Sequence, residues 1–277
     1  MRHFRPTRAL LAFLMVGLVA ALSLPGFAQA VPGDQKAVEN QIERAKIFRD
    51  AYPVIADVDL YCSPFVYEGE LPDLRIAEAE KGYEKTLFSD ADIVHLNKGK
   101  QGGLEVGQVL LVIDIGDPIG DLGRLATKTG RATVLFLEEN RAVVRIEKSC
   151  GRITVGSYLV PFEEKETLLG KDIGYDAYAQ GGTGQAGTIV YLERDYNQIA
   201  SGGYAIVDIG EDAGIQVGQQ LTIYKMVRDT QTLEARKDMP QRGIGNAIVI
   251  EAGKKTATIK VLSCQDPISK GQAVKGK

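Results

Sequence analysis

The chain has 277 residues and is poor in the side chains that most site chemistry requires: two histidines, three cysteines and no tryptophan. His3 lies near the N-terminus, so His95 alone remains in the body of the chain. A lone histidine cannot build a histidine-rich metal cage, and no Cys-x-x-Cys or His-x-x-x-His pattern exists. Nor is there a G-x-S-x-G elbow for a Ser-His-Asp nucleophile. Three cysteines do not make a disulfide scaffold, so the chain must rely on a hydrophobic core. Beyond residue 22 no apolar run approaches membrane-spanning length. The 33 Lys and Arg are outnumbered by 36 Asp and Glu, an acidic balance that argues against a nucleic-acid partner. No catalytic residue, metal or cofactor is expected.

The N-terminus does carry a signal. Arg2, Arg5 and Arg8 form a positive region, and Ala9 to Leu22 is an uncharged apolar run. Pro25 and Gly26 break the run, and Ala28 and Ala30 are the small residues at −3 and −1 of a cleavage point before Val31. A helix over that run would rise about 21 Å, short of the roughly 30 Å hydrocarbon core. No cysteine follows it to carry a lipid. The expected product is exported, cleaved after Ala30, and periplasmic or secreted, with no transmembrane segment in the mature chain.

Repetition organises the rest. Ile76–Val94 aligns without gaps on Ile189–Val207, and Gly103–Val112 (GLEVGQVLLV) matches Gly214–Ile223 (GIQVGQQLTI). Each copy closes with a similar run, around Cys150 and around Cys264, which makes those cysteines counterparts in this alignment. Short runs such as IVHL, AVVRI, AIVDI and ATIKV are rich in β-branched residues and separated by Gly, Asn, Asp and Lys turns. A signature of an apolar residue, two further positions, then glycine and a strand recurs around Gly107, Gly156, Gly218 and Gly271. These read as structural turn glycines at tight strand entries, which suit small barrels that leave no sheet edge.

The expected fold is mainly β: two tandem related small β-barrel modules with a short N-terminal helix. Residues 1–30 are the signal and 31–61 the helix and lead-in. Module 1 spans 62–162, a linker 163–187, and module 2 188–277. The helix is predicted over about Gln35 to Tyr52, capped by Asp34, with Val38, Ile42, Ala45 and Phe48 on one stripe. The linker ends in QGGTGQAG, a low-complexity stretch predicted to let the modules hinge. Its G-x-G-x-x-G (Gly182–Gly187) lacks a preceding buried strand and a following helix, and so is not read as a dinucleotide site.

Three residue groups carry the remaining chemistry. The paired carboxylates Glu78/Glu80, Asp90/Asp92 and Glu211/Asp212 could do acid–base work, and Glu80 recurs as Glu193. Tyr83, Tyr196, Tyr191 and Tyr204 are a candidate binding surface, since tyrosine combines an apolar body with a polar tip. Cys62 precedes module 1 and Cys150 ends it, so these two are expected to pair, leaving Cys264 an unpaired thiol.

G-[LI]-[EQ]-V-G-Q-x-L, the strands after it and the closing I-x-x-G turn resemble the C-terminal β-barrel domain of flagellar assembly protein T. They also resemble β-modules of bacterial envelope proteins that carry LysM (lysin-motif) domains. The resemblance covers about Ile76–Phe162 and Ile189–Lys275, implies a periplasmic structural or binding role, and supplies no catalytic residue. The expected function is a non-enzymatic binding or assembly module of the cell envelope, with an envelope protein or cell-wall polymer as partner. Carbohydrate or peptidoglycan binding is the alternative, and a carboxylate-dependent hydrolase is a second one.

Overall fold

A computed structural model describes residues 52–80, 85–179, 185–227, 232, 236 and 239–277. The predicted export signal with Ala28 and Ala30, the predicted N-terminal helix, Tyr83 and Gly182–Gly184 lie outside the described residues.

The first half opens with β1 (Tyr52–Pro53), a single-turn helix α1 (Asp57–Tyr61) and β2 (Pro64–Tyr67). There follow β3 (Ile76–Ala79), β4 (Leu87–Phe88), β5 (Ile93–Leu96), β6 (Val109–Pro118), β7 (Arg124–Leu137), β8 (Ala142–Ser149), β9 (Ile153–Thr154) and β10 (Tyr158–Pro161). After β11 (Leu169–Gly170), the second half contains β12 (Ala186–Leu192), β13 (Gln198–Ile199), β14 (Tyr204–Val207) and β15 (Gln220–Lys225). It ends with β16 (Arg242–Ala252), β17 (Ala257–Cys264), β18 (Ile268–Ser269) and β19 (Ala273–Gly276). The chain is therefore mainly β. Among the described residues no helix is long and apolar enough to cross a membrane.

Strand alternation builds each core. In β8, Ala142, Val144 and Ile146 point inward while Arg145 is exposed. One cluster forms around Val94, Leu96, Leu110, Val134, Val144 and Leu159, and another around Val207, Leu221, Ile223, Val249, Ile259 and Val274.

The two halves share one strand order. In the second, β12-β14-β17-β16-β15-β19 close into a barrel. In the first, the corresponding order β3-β5-β8-β7-β6-β10 is an open sheet, with β2 added alongside β7. The seam explains the difference. Three residue pairs join β12 to β19, whereas the β3–β10 seam is the single Arg75–Tyr158 bridge, counterpart of Thr188–Ala273, with the Ile76 N–H to Ser157 O and Leu159 N–H to Leu74 O bonds beside it. Of the two barrel modules expected, the second is a closed six-stranded barrel and the first a sheet whose end strands meet at one bridge.

Four equivalent turns hold these strands. Gly107, Gly156, Gly218 and Gly271 have φ of 84°, 91°, 87° and 81°, where a Cβ is strained. Each donates its N–H across the barrel at 2.8 Å: Gly107 to Val134 O, Gly156 to Ile76 O, Gly218 to Val249 O and Gly271 to Ile189 O. The next residue (Gln108, Ser157, Gln219 or Gln272) accepts with its side chain from the N–H three positions earlier, at 3.0–3.3 Å. The recurring signature is thus a side-chain-capped turn.

Strand register corrects the sequence alignment in two places. Leu96 opposes Ala142 as Val207 opposes Ala257, so His95 corresponds to Ile206, and the ungapped alignment of β5 on β14 is two residues out. The connection between β3 and β5 is longer than its counterpart by that amount. Likewise Gly130 opposes Ser149 as Gly245 opposes Cys264, so Cys264 is the counterpart of Ser149, not of Cys150. A one-residue slip reverses the face on which a strand side chain lies.

Candidate functional site

The lead-in α1–β2 is wedged between the two halves. Pro64–Tyr67 pairs antiparallel with Arg124–Thr127 on one side, and β2 packs on β14 and β17 on the other. Ile55 and Leu60 of the lead-in are buried with Ile248 and Ile250 on the outer face of the barrel. Polar groups lock the wedge. Thr258 Oγ1 donates to Pro64 O at 2.8 Å. Buried Asp59 caps α1 through the Ala56 N–H, pairs with Lys260 at 2.5 Å and accepts from Tyr204 Oη at 2.5 Å. Burial first, and then that bond to Asp59, push the Tyr204 phenol well above its ordinary pKa.

Lys128 stands at the centre of the junction. It lies on β7 opposite Ile113, just before a bulge at Thr129 that turns it away from the first core toward the junction, and is only 3% exposed. Its Nζ donates to Leu60 O at 2.9 Å, Ser63 Oγ at 3.3 Å and the Glu251 carboxylate, which uses all three N–H groups. Lys165 approaches the same carboxylate at 3.3 Å. Burial lowers the Lys128 pKa to about 8; Glu251 opposes the shift and Lys165 adds to it. Ser63 is fully buried, so the Ser63–Lys128 contact is not an accessible nucleophile–base pair.

Beside this lysine runs a groove of about 750 Å³ between the halves. Tyr61, Phe65, Tyr67 and Phe162 form its aromatic wall, and Glu163, Glu166 and Glu251 supply acceptors. Tyr61 and Phe162 rings lie 5.1 Å apart, and Phe65 and Tyr67 rings 6.5 Å apart. Tyr61 Oη is held by Lys165, donating to its O at 3.2 Å and accepting from its N at 3.0 Å. A second cavity of about 360 Å³ adjoins it and is lined by Cys62, Cys150, Arg131 and Lys148. Cys62 and Cys150 form a disulfide with Cα atoms 5.9 Å apart, stapling the lead-in to the end of β8. Cys264 is free. Asp176 occupies the Cys62 position of the second half, because Tyr178 opposes Arg242 as Pro64 opposes Thr127.

The residues singled out from sequence are scattered. Tyr204 is locked into the junction rather than open to a ligand. Tyr191 accepts at Oη from Asp195 N at 3.2 Å beneath Lys270, and Tyr196 is exposed. The carboxylates serve turns. Asp90 accepts from Ser149 N and Oγ at 2.6 Å, bonds that hold it below the usual carboxylate range, opposite to what a general acid needs. Glu193 accepts from Tyr204 N at 3.1 Å, and Glu78 pairs with Arg141. Among the described residues, no group of three or more His, Cys, Asp or Glu side chains is placed to hold a metal.

The linking segment is tied down along its described part. Gly170 and Leu169 pair with Tyr52 and Pro53, and Asp172 accepts from Asn246 at 2.5 Å and Ser263 at 2.7 Å. The hinge expected from composition does not take account of these bonds or of the Lys128–Glu251 contact. Sequence reading missed Lys128, because threonines flank it and a bulge at Thr129 breaks the strand's alternation, so no local pattern marks it as buried.

No protein-family profile matches the chain, and no curated protein sequence is significantly similar to it.

Proposed function

We propose that this chain is an exported, non-enzymatic binding or assembly module of the bacterial cell envelope. In this reading the signal is cleaved after Ala30, the mature protein works in the periplasm or beyond, and its halves arose by duplication of one small barrel module. They would be relatives of the β-modules of flagellar assembly protein T and of LysM-associated proteins. The observation that carries the reading is the aromatic groove at the locked junction. Its walls come from both halves and from the wedge between them, so binding there would sense the whole arrangement. Lys128 contributes by holding the walls, with its donors committed to protein acceptors.

A photo-cross-linker placed at Phe65 tests this in cells, with Leu71, exposed and away from the groove lining, as control. Adducts with envelope components from Phe65 but not Leu71 are expected. Equal labelling from both sites, or a chain that keeps residues 1–30 in the cytoplasmic fraction, would sink the reading.

Carbohydrate binding is a second reading, favoured by two aromatic pairs beside carboxylate acceptors in one groove. Co-sedimentation with purified sacculi, lost in Tyr67→Ala and retained in Tyr196→Ala, would select it.

A further inference from the structure

The contact between the halves has two sides, and each side has a structural counterpart elsewhere in the chain. One side is a ridge: the Lys128 N–H bonds Ser63 O, Pro64 opposes Thr127, and the strand so placed projects from the first half. The other is a face: the outer surface of β16 and β17, where Ile250 is 1% exposed, Thr258 bonds Pro64, and Glu251 meets Lys128.

The ridge recurs in the second half. Gly243 N–H bonds Ala177 O at 2.9 Å and Tyr178 opposes Arg242, the same two contacts made by the residues 115 positions later in β16. The face recurs in the first half. Phe136 opposes Val143 as Glu251 opposes Thr258, and Leu135 occupies the bulge position of Ile250. The internal contact uses the first ridge and the second face. It leaves over the first face and the second ridge, and both are apolar and open. Phe136 is 56% exposed, Leu135 37% and Tyr178 57%. The Lys128–Glu251 pair of the internal contact is absent from the leftover surfaces, where Lys128 is replaced by Gly243 and Glu251 by Phe136. The second charge of the internal face, Lys260, does have a counterpart on the leftover face, Arg145, which is already paired with Glu147.

We propose that copies of this chain associate head to tail, the Ala177–Tyr178 ridge of one seating on the Leu135, Phe136 and Val143 face of the next. The contact continues the one already inside each chain. It joins two different patches, so it is heterologous and propagates into rings or filaments rather than closing as a two-fold dimer. This self-association does not depend on the envelope reading.

Mixing two variants tests it. Phe136→Glu disables the face with the residue its counterpart position already carries, and Tyr178→Glu disables the ridge. In a Cys264→Ser background, which removes disulfide-linked artefacts, the parent protein should show a weight-average mass in sedimentation that climbs with concentration past that of a dimer. Each variant alone should have the mass of one chain. An equimolar mixture should form a dimer and stop there, because one intact face and one intact ridge remain. If either variant loses its thermal unfolding transition, Leu135→Lys or Ala177→Glu replaces it. A parent protein that is monomeric at every concentration would overturn the proposal, leaving the face to residues 31–51 or to another protein. A dimer that mixing does not restore would overturn it as well, since that is the behaviour of a symmetric contact.

Discussion

Lys128 of the first half and Glu251 of the second meet in a charged hydrogen bond, 123 residues apart in sequence. Neither belongs to an obvious motif, and together they join the two β-rich halves across the lead-in wedge. A buried pair of this kind stabilises little against an apolar replacement, yet losing one member strands the other. Glu251→Leu is therefore expected to lower unfolding free energy by roughly 3 kcal/mol. The double variant Lys128→Met/Glu251→Leu should recover a large part of the loss. Urea unfolding of the singles and the double gives the coupling directly; additive losses would mean that the pair is not coupled.

The same lysine gives the junction a pH dependence with a definite sign. Its folded pKa of about 8 lies below its ordinary 10.5, so between those values the unfolded chain binds more protons. Stability contributed by this group accordingly rises with pH across that window, by roughly 3 kcal/mol in all, and is flat below it. Tyr204, whose pKa is raised, acts in the opposite direction above about pH 10. The difference in stability between the parent protein and Lys128→Met should grow from pH 7.5 to 9.5; a constant difference would contradict the assignment.

Reduction of Cys62–Cys150 releases the wedge from β8. The bond closes a loop of 88 residues, which corresponds to about 4–5 kcal/mol in the loop-entropy model. Cys62→Ser/Cys150→Ser is expected to lose an amount of that order and to remain able to fold, since the wedge keeps its contacts with Ile248 and Ile250. Alkylation of the unreduced, denatured protein should label one thiol, Cys264.

Each turn glycine should be worth about the same. Gly107→Ala, Gly156→Ala and Gly271→Ala meet open space, so the cost is the left-handed backbone alone, about 1–2 kcal/mol each. Asn at the same positions should cost less, because asparagine tolerates that region. Thermal unfolding of the matched Ala and Asn variants reads the difference.

The local elements were legible because their causes are local. A glycine at positive φ, a capping Gln or Ser beside it and an alternating β-branched run act within a few residues of themselves. Alignment of the repeats was legible only to within one or two residues, since identities such as Val94/Val207 and Cys150/Cys264 were chosen by letter rather than by strand face. The ladder showed that Val94 pairs like Ala205 and that Cys264 stands where Ser149 does. That is why Cys264 has no partner of the Cys62 kind.

The amino-acid sequence by itself determined the mainly β character, the two-part repetition and the four left-handed turns, because each depends on side chains and backbone within a short stretch. Only the tertiary structure decided which barrel closes, which outer face is covered and which charged residues are buried. Those outcomes depend on solvent being removed from Lys128, Asp59 and Ile250 by segments far away in the chain, and no local pattern records what will come to cover a strand's outer face.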